Sequence, residues 1–277
     1  MTLPHKLRIQ CLQFRFLFIP VVLILIGNVD VFAQLPFYTD DADTTGKGKF
    51  HLEIYNEHDI LQRSAYPTKR QNTTVFTLNY GITDQLELGV NAPVITLSNS
   101  SIAIPRNITG VGDTQFGLKY NFLTEREGSR RPALTLVFYV ETPTGDTQKQ
   151  LGSGLTDYYL YGIVQKSLTK RTKGRVNGGI LFSGNSSTGL IGIRTERGHV
   201  YTGNASLVRD FTDRLKLGVE VFGAVPSSFS LNRGQLTAQI GGDYALTEKL
   251  TLSFGVLGGR YSASPRAGLH LGFAYDF

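Results

Sequence analysis

Three aspartates in four residues, Asp40, Asp41 and Asp43, are the first side chains whose spacing could do chemistry. Such a cluster can hold a cation. It lacks the central glycine and the distant glutamate of a calcium loop, so a solvated, helix-free lead-in is the expectation, with a plug folded into the protein as the alternative. The histidines His51, His58, His199 and His270 are the next candidates. A hydrolytic His–Ser couple on one strand face needs serine two residues from histidine. Those positions hold Glu53, Ile60, Tyr201 and Gly272. His58 and Asp59 are adjacent and would project from opposite faces of a strand. Gly110-Val111-Gly112 fails as a dinucleotide fingerprint, because residue 115 is Gln and no helical pattern follows. Cys11 is the single cysteine, which leaves no thiol chemistry or cysteine-ligated zinc after it. No catalytic residue, metal site or cofactor is expected, and no enzyme activity.

The elements that would position any site are strands. Phe76, Leu78, Tyr80 and Ile82 fall on one face of a period-two segment; Leu86, Leu88, Val90, Ala92 and Val94 do so in the next. Phe116, Leu118, Tyr120 and Phe122 stand opposite Gln115, Gly117, Lys119 and Asn121. Twelve such segments are expected, at 48–58, 72–82, 85–95, 111–122, 132–142, 156–167, 175–184, 199–210, 214–225, 234–245, 249–260 and 266–277. Ordinary strands average about 5–6 residues, whereas a tilted strand crossing a bilayer needs about 9–11. Every second joint is short, as at Thr83-Asp84 and Thr247-Glu248. The joints between are longer: 59–71, 96–110, 143–155, 185–198, 226–233 and 261–265.

The chain opens with Lys6, Arg8 and Arg15, then an apolar run from Phe16 to Ile26, then Val31-Phe32-Ala33. A basic start, a short apolar core and an alanine-ending site make a cleaved export signal over 1–33. The run is too short for a spanning helix, which needs about 20 residues. Export leaves 25 basic against 21 acidic residues, a net +4. With no basic cluster, this excludes a nucleic-acid partner.

Hydrocarbon offers no hydrogen-bond partners, so only a sheet without edges satisfies its backbone there. The expected fold is all-β: an antiparallel transmembrane β-barrel over 48–277, with short periplasmic turns, longer extracellular loops, and 34–47 as a periplasmic lead-in. The rival is a soluble all-β fold. With apolar faces toward lipid, the lumen would be lined by Glu53, Glu87, Lys119, Glu141, Asp157, Lys216, Glu220, Asp243, Arg266 and His270. Twelve strands tilted near 40° give a backbone diameter of roughly 24 Å and a lumen near 10 Å. Mixed charges there could form a selectivity constriction or pair with one another. Pro93 and Pro143 lie near strand ends, where a kink could open the wall. The expected location is a bacterial outer membrane. The expected partners are its lipid and lipopolysaccharide, small-molecule solutes, and the barrel-assembly machinery through the in-phase terminal Phe277.

Three stretches carry a resemblance: Thr39-Asp-Asp-Ala-Asp-Thr-Thr-Gly-Lys-Gly-Lys-Phe50, Tyr80-Gly-Ile-Thr-Asp-Gln-Leu-Glu-Leu-Gly-Val90 and Gly110-Val-Gly-Asp-Thr-Gln-Phe-Gly-Leu-Lys-Tyr120. Val140-Glu-Thr-Pro-Thr-Gly-Asp146 and Asp157 to Tyr161 continue in the same order. Together these resemble the family named for a "MetA-pathway of phenol degradation". The resemblance implies an outer-membrane barrel of transporter type, linked by name to aromatic compounds, with no site residues to carry over. The expected function is passive passage of small, apolar or aromatic molecules; a non-conducting structural or partner-binding barrel is the alternative, with a barrel hydrolase behind both.

Overall fold

The computed structural model describes residues 36–184, 197–227 and 234–277. The export signal expected at 1–33 and most of the loops at 185–198 and 226–233 lie outside these residues. Thirteen strands follow in chain order: β1 (Phe50–Ile60), β2 (Thr68–Thr83), β3 (Leu86–Asn99), β4 (Asn107–Val111), β5 (Thr114–Leu123), β6 (Ala133–Thr142), β7 (Asp157–Thr169), β8 (Thr172–Gly184), β9 (Arg197–Asp210), β10 (Leu215–Pro226), β11 (Gln235–Ala245), β12 (Leu250–Arg260) and β13 (Ala267–Asp276). Consecutive strands pair antiparallel except β4 and β5, which both pair with β3, and β1 pairs with β13 from His51 opposite Asp276 to Ile60 opposite Ala267. The ring is therefore a closed, twelve-stranded barrel, with β4 as an addition on β3.

Alternation sets the two faces. On β2, Phe76, Leu78, Tyr80 and Ile82 are exposed on the outer wall, while Thr77 and Asn79 are buried inside. On β13, Leu269, Leu271, Phe273 and Tyr275 are exposed, and His270 and Ala274 are buried. Outward apolar and inward polar is the arrangement a lipid solvent selects. At the β1–β13 seam, the Phe50 and Phe277 rings stack at 5.5 Å. Inside that seam, His51 lies 2.6 Å from Asp276 Oδ1 through Nδ1 and 2.9 Å from Glu53 Oε1 through Nε2.

Two features depart from the expected segments. The fourth strand is two, β4 and β5, parted at Gly112-Asp113, with three residues spanning where β3 supplies two. The break leaves the wall continuous, since the Gly112 N–H still donates to the Pro93 carbonyl at 2.9 Å. Pro93 itself sits in the β2–β3 ladder opposite Val75. The β2–β3 hairpin is also longer than expected, so much of 59–71 and 96–110 is strand rather than loop.

At the opposite end, the β5–β6 turn is pinned by Glu125, which pairs with Lys166 and accepts the Ser167 N–H at 3.0 Å. Burial works to raise the Glu125 carboxyl, but the Lys166 and Ser167 hydrogen bonds outweigh it and hold it below the usual glutamate range.

Candidate functional site: a lumen filled by an N-terminal strap

The interior holds residues 36–48 as an extended strap that crosses the lumen. Thr39 and Ala42 are fully buried, and Asp41 is 2 % exposed. The expectation of a solvated lead-in is thereby corrected. The physical reason is that the inward faces present a complete set of partners for this segment.

One end of the strap meets β10, β11, β13 and β1. Gln239 Nε2 donates to the Pro36 carbonyl at 2.6 Å. Glu220 accepts the Tyr38 N–H at 2.9 Å, the Thr39 N–H at 2.7 Å and the Thr39 hydroxyl at 2.6 Å. The Tyr38 hydroxyl donates to Glu57 at 2.5 Å, and its ring packs 4.3 Å from Phe222 and 5.4 Å from His270.

The strap then reaches the opposite wall. Lys119 Nζ lies 3.0 Å from Asp40 Oδ1 and 3.2 Å from Asp41 Oδ1. The Tyr161 hydroxyl donates to Asp40 at 2.8 Å, and Arg175 stands 3.6 Å from Asp41. Asn121 and Thr135 both donate to the Ala42 carbonyl at 2.7 Å. Gln165 and Lys173 reach Asp43 at 3.1 and 3.6 Å. The three aspartates thus direct their carboxylates at side-chain cations and donors of the barrel wall.

The strap leaves through the periplasmic end over the Tyr80-Gly81-Ile82-Thr83-Asp84 turn. Glu87 accepts the Thr45 N–H at 2.6 Å and Asp84 the Lys47 N–H at 3.0 Å. Gly81 is required here. A Cβ on it would lie 2.2 Å from the Gly46 carbonyl oxygen and 2.3 Å from that of Thr45, both backbone atoms with nowhere to move. Gly81→Ala is expected to lift the base of the strap. Hydrogen exchange at the Thr45, Lys47 and Gly48 amides should quicken by about tenfold or more, while exchange in the strands on the far wall stays unchanged.

The extracellular side carries a second inward element. Asp113, at the β4–β5 break, accepts the Gly145 N–H at 2.8 Å and the Ser153 N–H at 2.6 Å from the β6–β7 loop. The loop's Leu151, 1 % exposed, packs on Ile95 and Leu97. Asp146 caps the loop's short turn, accepting the Gln148 and Lys149 N–H groups. Asp113→Ala should free the loop, with exchange at the Gly145 and Ser153 amides about tenfold faster.

Of the sequence-derived lumen candidates, Lys119, Glu220, Glu87 and His270 touch the strap. Glu53 holds His51, Glu141 accepts from Gln115 at 2.5 Å, and Asp243 accepts from Ser253 at 2.7 Å. Asp157 is buried at the start of β7, and Lys216 lies half-buried opposite Asp243. Arg266 differs: it precedes β13 and is exposed at the loop end. Uncharged partners such as Gln239, Asn121 and Thr135 were not singled out. Their inward position in the alternation was the available signal.

A closed ring of twelve antiparallel strands with an apolar outer wall and a polar lumen defines an outer-membrane β-barrel of the channel type. The chain belongs to the family described as "Putative MetA-pathway of phenol degradation", which matches residues 39–277. No curated protein matches it. Among solved structures, it is similar to the COG4313 outer membrane channel from Pseudomonas putida F1, at 16% identity and a TM-score of 0.66, covering 86% of this chain and 98% of that one. The NanC porin aligns at 11% identity and a TM-score of 0.55, covering 81% and 98%. The KdgM porin aligns at 12% and 0.53, covering 82% and 99%. At such identities the likeness is one of fold.

Proposed function

We propose that the protein is an outer-membrane channel for passive diffusion of small, apolar or aromatic molecules, its bore set by the strap. The observation that carries this reading is the closed twelve-stranded ring with a polar lumen, which the strap narrows. The solute class is supported by the family's description and by a run of inward tyrosines: the Tyr159 and Tyr161 rings lie 4.7 Å apart, and Tyr139 stacks with Tyr161 at 6.3 Å. The strap equally favours one second reading, a barrel that stays shut. Refolding the mature chain into bilayers separates the two. Discrete conductance, with phenol entering vesicles faster than a sugar of similar size, supports the channel. A folded, heat-modifiable barrel that neither conducts nor admits phenol leaves the closed barrel.

A further inference from the structure

One flank of the outer wall is polar. Over the extracellular half of β1–β4, the lipid-side face carries Asn56, His58, Asn72, Thr74, Thr96 and Thr109, with Val94 and Val111 beside them. Five of them are joined by side-chain hydrogen bonds in two sets: Asn56 and Asn72 exchange amide bonds at 2.9 and 2.8 Å and Asn56 donates to Thr74 at 2.9 Å, while Thr96 meets Thr109 at 3.0 Å. The neighbouring strand makes the contrast plain. Asn56 stands opposite Leu271 and His58 opposite Leu269, both exposed apolar residues of β13.

This patch does not lie wholly above the membrane. Asn56 is six residues up β1 from Phe50, which stacks on Phe277 at the periplasmic end. At a tilt of about 40° that is about 15 Å of height, within an apolar band about 25 Å tall. The polar rows therefore begin in the outer-leaflet part of the band and continue upward to Arg70, which faces outward opposite Ile60 and Ser98.

The charge of this flank is one-signed. Arg63, Lys69, Arg70 and Arg106 are exposed, whereas the nearby acids Glu57 and Asp59 lie on the inward face of β1. The β3–β4 loop adds Ile102 and Ile104, 79 % and 97 % exposed, beside Arg106. Basic and apolar side chains side by side at this height suit an anionic amphiphile.

We propose that this flank binds a phosphorylated glycolipid of the outer leaflet, with Arg70 as phosphate anchor and the upper part of the ladder, from Asn72 to Thr96, bonding the sugar. A second copy of the chain is the poorer occupant, because an isologous contact would set these cations against themselves.

The test is native mass spectrometry of the refolded mature protein in detergent, titrated with bis-phosphorylated lipid A and with lipid A stripped of phosphate. The wild type should bind the phosphorylated form. Arg70→Ala, the double variant Asn56→Leu/Asn72→Leu, and removal of the phosphates should each weaken binding by about tenfold or more, while Arg209→Ala, an exposed cation toward the periplasmic end of β9, should leave it unchanged. Equal binding by the wild type and both patch variants would overturn the proposal. So would an equal loss in Arg209→Ala, or no preference of the wild type for the phosphorylated lipid. A wild-type dimer that the patch variants abolish would assign the flank to a second copy instead.

Discussion

Deleting residues 36–46 is expected to raise single-channel conductance on the order of tenfold, because the strap occupies most of a lumen near 10 Å wide. The segment crosses from Gln239 and Glu220 on one wall to Lys119 and Asn121 on the other, so it narrows the interior at its level. An extended chain alone is about 5 Å across, and side chains such as Tyr38 add to that. Removal leaves Glu220, Lys119 and Glu87 facing water rather than protein, so their desolvation is relieved and the barrel stays folded. The lumen then carries exposed mixed charge, and its ion selectivity should shift with salt as screening grows. Planar-bilayer recording of the deletion and the full mature chain checks this directly. Unchanged conductance would mean that the current is set elsewhere, with the Asp113-held loop as the next constriction to remove.

Lys119→Ala should have the second large effect. Lys119 is 4 % exposed and faces Asp40 and Asp41 together. Removing one partner of a buried ion pair costs about 3–5 kcal/mol, because the remaining charges are left desolvated. Here the loss has an outlet: the strap can leave the lumen while all twelve strands keep their ladders. The expected result is therefore local release. Chymotrypsin should cleave after Tyr38 in the variant, seen by intact mass, at a protease level that leaves the wild type whole. Arg175 stays 3.6 Å from Asp41 and retains part of the anchorage. Adding Asp40→Asn and Asp41→Asn to Lys119→Ala removes the stranded charges and should restore much of the protection. If the triple variant is cleaved as fast as the single one, the ion cluster is not what holds the strap.

How much of this was legible in the sequence differs from element to element. The strands β5 and β10–β13 were plain, because one face is apolar and the other polar, and a period of two follows from the geometry. The upper halves of β2 and β3 were not. Beyond the expected segments 72–82 and 85–95, Arg70, Thr96 and Ser98 make the outer face polar as well, so the alternation fades and 68–71 and 96–99 read as loop. Arg266 was placed in the lumen by extending the alternation one residue ahead of the start of β13, where the side chain is exposed at the loop end. The strap stood in the sequence only as the alternative to a solvated lead-in. Its aspartates are short-range neighbours in sequence, yet their partners come from β5, β7 and β8, and single-chain spacing does not encode such cross-lumen pairing. The stretches that carried the family resemblance did contain the answer: Asp40 and Asp41, Gly81 with Asp84, and Lys119 are the strap, its seat and its anchor.

The seam between β1 and β13 has a consequence for the order of assembly. The first and last strands of the ring meet there, so the circle cannot shut until the end of the chain has arrived. The strap's receptor is spread over both walls, with Glu220 on β10 and His270 on β13 facing Lys119 on β5. No partial barrel offers that whole set of partners. The strap can therefore seat fully only after the final strand has docked. A seated strap is a molecular receipt for a finished circle.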